Sequence, residues 1–171
     1  MSEKPRSGGP MPRIALPAVH GGEVTLGSGD GWRLVVVYRG RHCPICKKYL
    51  GRLRALAPQF RERGAAVIAV SADPREKAEA DVKEFGWDFT VGYGLTPDQM
   101  RALGLYISEP RSPQETDRPF AEPAVFLVRP DNRVQIVDIG NAPFTRADLE
   151  QILGGLKWIQ DNDYPVRGTL E

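Results

Sequence analysis

The stretch Trp32-Arg33-Leu34-Val35-Val36-Val37-Tyr38-Arg39-Gly40-Arg41-His42-Cys43-Pro44-Ile45-Cys46 decides how this chain is read. Its first seven residues are a nearly continuous apolar run. Such a run, without polar alternation, marks a strand buried on both faces. A short loop follows over 39–42. A helix is then expected over 44–63, because Ile45, Tyr49, Leu50, Leu53, Leu56 and Phe60 recur at helical spacing. Pro44 suits its first turn, where a missing N–H costs nothing. Pro58 lies inside the same pattern and predicts a kink or break. Cys43 therefore stands where a buried strand gives way to a helix, and Cys46 lies one turn later on the same face.

That location has chemical consequences. The first N–H groups of a helix have no partners within it, and the helix dipole adds partial positive charge there. Both favour a thiolate, so Cys43 is expected to have a lowered pKa. Cys46 is near enough to close a disulfide with little backbone motion, so one sulfur attacks and its neighbour resolves the product. Local charge points the same way. Residues 31–60 carry Arg33, Arg39, Arg41, Lys47, Lys48, Arg52 and Arg54 and no Asp or Glu. His42 adds charge when protonated, or simply packs. Blander readings exist. The cysteines could be inert core thiols. They could be half of a zinc site, although only His20 and His42 could complete it as imidazoles. The basic run could be a solvated helix face, which is the better reading for Arg52 and Arg54.

Outward from this segment, the 171 residues fit one domain. The 23 Lys and Arg against 22 Asp and Glu leave a net charge of +1, which argues against wholesale binding to a nucleic-acid backbone. No apolar run is long enough to span a bilayer. Residues 1–13 are polar, rich in Pro and Gly, and lack the apolar core of a secretory signal. They are expected to be a flexible lead-in to a domain over 14–163, with a tail over 164–171, and the expected compartment is cytoplasmic. In a reducing compartment two cysteines three apart read as redox or metal chemistry, not as a structural staple.

The remaining pattern predicts a buried strand over 65–71, then Asp73 and Pro74 as N-cap and first turn of a helix reaching 85. For Asp73 the alternative is a catalytic carboxylate. A short strand is expected over 89–91 and a short helix over 97–103. A polar, Pro-rich loop is expected over 108–122, a hairpin of strands 124–128 and 134–139, and a last helix over 145–161. Strand–helix–strand order implies parallel pairing through right-handed crossovers, and the hairpin adds antiparallel strands. The fold class is α/β, with a central mixed sheet flanked by helices. Gly92-Tyr93-Gly94-Leu95-Thr96-Pro97 lacks the third glycine of a dinucleotide fingerprint.

The segment from Tyr38 to Cys46 resembles the Tyr-Arg-Gly-x-x-Cys-Pro-x-Cys segment of peroxiredoxin-like proteins. These belong to the alkyl hydroperoxide reductase/thiol-specific antioxidant superfamily, within the thioredoxin fold. Ala69-Val70-Ser71-Ala72-Asp73, Phe85-Gly86-Trp87, Ala102-Leu103-Gly104-Leu105 and Tyr164-Pro165-Val166-Arg167-Gly168 look like its later segments in order. The resemblance implies a thioredoxin-like fold and a thiol peroxidase. Cys43 would attack a hydroperoxide, Cys46 would resolve it, and a thioredoxin-like or small-thiol donor would reset the pair. It implies no cofactor, no metal, no nucleic acid and no membrane partner, and it leaves a homodimer open. Arg39, Gly40, Arg41, His42 and Pro123 become residues that stabilise the thiolate or position substrate. Pro123 stands where thioredoxin-fold proteins carry a cis-proline, the alternative being a trans proline that starts a strand. The family's usual hydroxyl three before the cysteine is here Gly40, and its proline seven before is Val36. Its arginine from a later strand has Arg118, Arg39 and Arg41 as candidates. The rival readings are a thioredoxin-like dithiol–disulfide oxidoreductase using the same pair, and a non-catalytic binding protein.

Overall fold

The computed structural model of the chain describes residues 4–171, so the first three residues of the expected lead-in lie outside the described residues. The strands and helices run β1 (Ala15–Pro17), β2 (Glu23–Thr25), β3 (Trp32–Val37), α1 (Pro44–Glu62), β4 (Ala65–Val70) and α2 (Arg75–Phe85). They continue with β5 (Thr90–Gly92), α3 (Pro97–Ala102), β6 (Ile107–Ser108), β7 (Phe120–Ala121), β8 (Ala124–Val128), β9 (Val134–Ile139) and α4 (Leu149–Asn162). The central sheet has the order β5-β4-β3-β8-β9. β3 pairs parallel with β4 and antiparallel with β8, so the apolar run 32–37 sits in the middle of a mixed sheet. Its alternate residues feed two cores. Leu34 and Val36 face α1 and α4 with Leu50, Leu53, Phe60 and Leu153. Val35 and Val37 face the other layer, with Met11, Leu16, Met100 and Phe120.

Local chemistry explains most of the boundaries. α3 opens on a capping box in which Thr96 Oγ1 accepts from Gln99 N–H and the Gln99 side chain accepts from Thr96 N–H. α2 ends on Gly86, whose φ of 62° is the left-handed conformation that favours glycine. α1 passes through Pro58 without a break. Pro58 is exposed, so the carbonyl left without a donor can face water, while Leu53, Leu56, Ala57 and Phe60 keep the helix seated on the sheet.

The 108–122 segment, expected to be loop, is closed at its ends by a short antiparallel pair in which Ile107 faces Ala121 and Ser108 faces Phe120. The last helix starts later than expected. Asp148 is its N-cap, accepting from Gln151 N–H at 3.0 Å, and residues 145–147 precede it in non-helical conformation. Residues 8–11 of the lead-in are bound to the β9 end of the sheet, with Gly8 N–H donating to Val134 O at 2.7 Å and Met11 N–H to Asn132 O at 2.9 Å. No helix of the described residues is long and apolar enough to cross a membrane.

Candidate active site

Cys43 is the N-cap of α1, with extended backbone at φ −108° and ψ 103°. Its Sγ accepts the Cys46 N–H at 3.3 Å. The strand-to-helix junction thus aims an otherwise unpartnered helix N–H at sulfur. The neighbouring Cys46 side chain is the largest influence that lowers the Cys43 pKa, to about 5. Burial opposes it, and the Cys46 N–H and the Arg39 guanidinium add to it. Cys46 moves the opposite way. Donating to Cys43, burial and the Cys43 charge all hold it as a thiol. Both sulfurs are free and buried.

Arg39 is fixed from the far side of the sheet. Its Nε pairs with Glu122 Oε2 at 3.0 Å, and Ser108 Oγ donates to Glu122 Oε1 at 2.7 Å. The guanidinium lies 4.8 Å from the centre of the Phe120 ring. With side chains 17% and 5% exposed, the Arg39–Glu122 pair is desolvated, so each ion depends on the other for charge compensation. His42 packs edge-on against the same Phe120, ring centres 4.6 Å apart. Burial, then the Arg39 charge, lowers its pKa to about 4. At physiological pH that leaves a neutral ring packed on Phe120.

Gly40 and Asp73 form the floor of the loop. Asp73 Oδ2 accepts the Arg41 N–H at 2.7 Å. Gly40 has φ 138°, and a Cβ there would lie 2.7 Å from Asp73 Oδ1. Only a residue without a side chain fits. Asp73 was expected to cap a helix. Instead Pro74 occupies the N-cap of α2 and makes no side-chain cap bond, because the Asp73 carboxylate is turned inward to the loop that carries the cysteines. The Arg41 side chain turns away, to Asp81 at 2.5 Å and Glu84 at 2.7 Å, and so braces the loop on α2.

The basic run of the sequence is thus divided. Arg39 acts on the sulfur through its charge, Arg33 turns to Asn132, Arg41 to α2, and Arg52 to Glu150. Arg118 pairs with its neighbour Asp117 at 2.9 Å. Pro123 is trans, and no peptide among the described residues is cis. Next to it Ala124 begins the ladder with β3, and the Pro123 carbonyl accepts the Gly140 N–H at 2.9 Å, which is the role of a strand-starting proline. Among the described residues, no group of three or more His, Cys, Asp or Glu side chains could hold a metal ion.

One residue at the sulfurs escaped the sequence reading. Arg146 Nη2 lies 3.0 Å from Cys46 Sγ and 3.9 Å from Cys43 Sγ. Its Nε donates to Pro143 O at 2.5 Å, and its guanidinium stacks 5.1 Å from the centre of the Tyr49 ring. It sits in the non-helical residues before α4, one hundred positions after Cys46, where the sequence pattern suggested the start of a helix. A mostly apolar groove along α1, lined by Ile45, Tyr49 and Ala55 with Lys48 and Arg52, ends at Arg146.

A family model described as AhpC/TSA family matches residues 7–137. A probable 1-Cys peroxiredoxin of Syntrichia ruralis is 27% identical over 112 residues, covering 63% of this chain and 51% of its own length. The 1-Cys peroxiredoxin of Dictyostelium discoideum is 32% identical over 112 residues, covering 63% of this chain and 44% of its own. The chain spans about half the length of the curated relatives it matches. Among solved structures, AhpC of Mycobacterium bovis has a TM-score of 0.77 at 16% identity and covers 99% of both chains. Peroxidoxin BcpB of Mycobacterium tuberculosis has a TM-score of 0.73 at 20% identity, covering 91% of this chain and 98% of its own. These structures share the fold.

Proposed function

We propose, from the premise that the chain belongs to the AhpC/TSA family, that it is a thiol peroxidase of the Cys-Pro-x-Cys type. The observation that carries this reading is the Cys43 sulfur, a helix N-cap that accepts the Cys46 N–H and feels the Arg39 charge. Cys43 thiolate attacks one oxygen of a hydroperoxide. An S–O bond forms, the O–O bond breaks, and the departing oxygen leaves as water or an alcohol after taking a proton. Cys46 then attacks the Cys43 sulfenic acid. The S–S bond forms, the S–O bond breaks, and hydroxide leaves as water. A thioredoxin-like or small-thiol donor reduces the disulfide. Arg39 stabilises the thiolate, Gly40 and Arg41 shape the loop, and His42 and Pro123 pack around it. The groove ending at Arg146 suits an organic hydroperoxide. A homodimer and a cytoplasmic location belong to the same proposal.

A second reading has its own support. Gly40 and Val36 replace the hydroxyl and the proline of the usual peroxidase motif, which favours exchange with disulfide substrates through the same pair. Stopped-flow tryptophan fluorescence of the reduced protein with hydrogen peroxide separates the two, with Cys43→Ser and Cys46→Ser alongside. Oxidation much faster than that of free cysteine, lost in Cys43→Ser, is the expected result. Oxidation no faster than free cysteine would move the function to disulfide exchange.

A further inference from the structure

Two guanidinium groups act on the sulfur pair, Arg39 on Cys43 and Arg146 chiefly on Cys46. Arg39, from the loop after β3, acts on Cys43. Arg146, from the segment before α4, approaches Cys46 at 3.0 Å and Cys43 at 3.9 Å. We propose that Arg146 is the catalytic residue that turns Cys46 into the resolving nucleophile, and that it does so only after Cys43 has been oxidised. The inference rests on the peroxidase reading and assigns the second half of that cycle.

The charges set the order of events. At rest, Cys43 is the anion and Cys46 is its hydrogen-bond donor. A second thiolate next to the first is opposed by it, so Cys46 keeps its proton even with Arg146 beside it. Attack on the peroxide removes the Cys43 charge by placing it in a neutral S–OH group. The hydrogen-bond acceptor that held the Cys46 proton has gone, and so has the like charge. Burial still disfavours a Cys46 thiolate, and Arg146 alone among the named influences still favours one. Tyr38, buried and held as a neutral phenol, is a further titratable group that interacts with Cys46.

The geometry suits that timing. Arg146 is already in hydrogen-bonding distance of Cys46, so no side chain has to travel. Its Nη1 is buried and has no hydrogen-bond partner, a donor left over for the oxygen that departs. Cys46 thiolate attacks the Cys43 sulfur, the S–O bond breaks, and the released hydroxide takes up the proton that Cys46 gave away. The thiolate sulfur is oxidised and the sulfenic sulfur reduced, so the step needs no outside electron.

Two measurements test this, and the first does not depend on peroxide chemistry. In Cys43→Ser the neighbouring charge is absent, as it is after oxidation. The Cys46 titration, followed by thiolate absorbance, is expected at least about one pH unit lower than in Cys43→Ser/Arg146→Gln, a tenfold difference in thiolate at a given pH. Equal titrations in the two proteins would overturn the proposal. The second measurement mixes the Arg146→Gln protein with hydrogen peroxide and a sulfenic-acid trap. Disulfide formation is expected to slow by about tenfold more than sulfenic acid formation, with trapped Cys43 accumulating and Arg146→Lys recovering part of the rate. Trapping no greater than in the parent protein would also overturn it. Failure of the parent protein to react with peroxide would refute the peroxidase reading, and the Cys46 titrations would still decide the role of Arg146.

Discussion

The two segments that bring an arginine to the sulfurs are built differently. The loop over 39–42 is tied by contacts from distant elements. Glu122 holds Arg39, Asp73 holds the Arg41 backbone, and Asp81 and Glu84 hold the Arg41 side chain. The segment over 140–147 is tied outward by neutral hydrogen bonds, Gly140 N–H to Pro123 O and Tyr49 O–H to Ala147 O, and otherwise holds itself. Thr145 N–H donates to Ala142 O and Arg146 to Pro143 O, with Tyr49 as its anchor on α1. The contrast matches the proposed chemistry. Cys43 has to be an anion before any substrate arrives, so its surroundings are fixed in advance. Cys46 changes from donor to nucleophile within one cycle, and locally held surroundings leave it room to do so.

The largest expected effect breaks the first segment. In Gly40→Ala, the new Cβ would meet Asp73 Oδ1 at 2.7 Å on a backbone whose φ is 138°. The combined strain and crowding cost roughly 2–4 kcal/mol. Urea unfolding should show a lowered midpoint with unchanged slope, and the Cys43 titration should move up as the loop shifts. Unchanged stability would mean that Asp73 yields and that the floor of the loop is soft.

Asp73 provides the next test. Burial raises its pKa to about 6, from an ordinary value of 3.8. Between those values the native state binds a proton that the unfolded state has lost, so this group lowers stability as pH rises toward 6. Asp73→Asn keeps an acceptor for the Arg41 N–H and removes the charge. It should stabilise the protein by about 2 kcal/mol above neutral pH and by almost nothing near pH 4. A variant less stable at every pH would show that the ionised carboxylate holds the loop better than a neutral amide.

The same contrast decides what could be read from sequence. The strand at 32–37, the helix beginning at Pro44 and the paired cysteines lie in one continuous stretch, and each has a short-range signal: an apolar run, a helical period and a proline in the first turn. Arg39 and Gly40 were within reach because they adjoin that stretch. Asp73 was visible but misassigned, since an Asp before Pro fits a helix cap and nothing local shows that the carboxylate turns toward Gly40 instead. Arg146 had no signal at all. It is one of many arginines in the chain, its segment looks like the start of α4, and only the packing of α4 against α1 brings it to Cys46.

The smallest expected effect probes the second segment and uses that packing. Tyr49 does two things there. Its ring lies under the Arg146 guanidinium, and its hydroxyl donates to Ala147 O at 2.5 Å. Tyr49→Phe keeps the ring and removes the hydrogen bond, so it separates the anchor from the stacking. The loss should cost about 1 kcal/mol of stability. If the segment over 140–147 depends on few anchors, the change should spread to Arg146 and slow disulfide formation several-fold. The Cys43 titration should stay where it was, because Arg39, Glu122 and Asp73 are untouched. A shift in that titration as large as the change in disulfide formation would show that the two sides of the sulfur pair move together, and the division between a fixed and an adaptable side would fail.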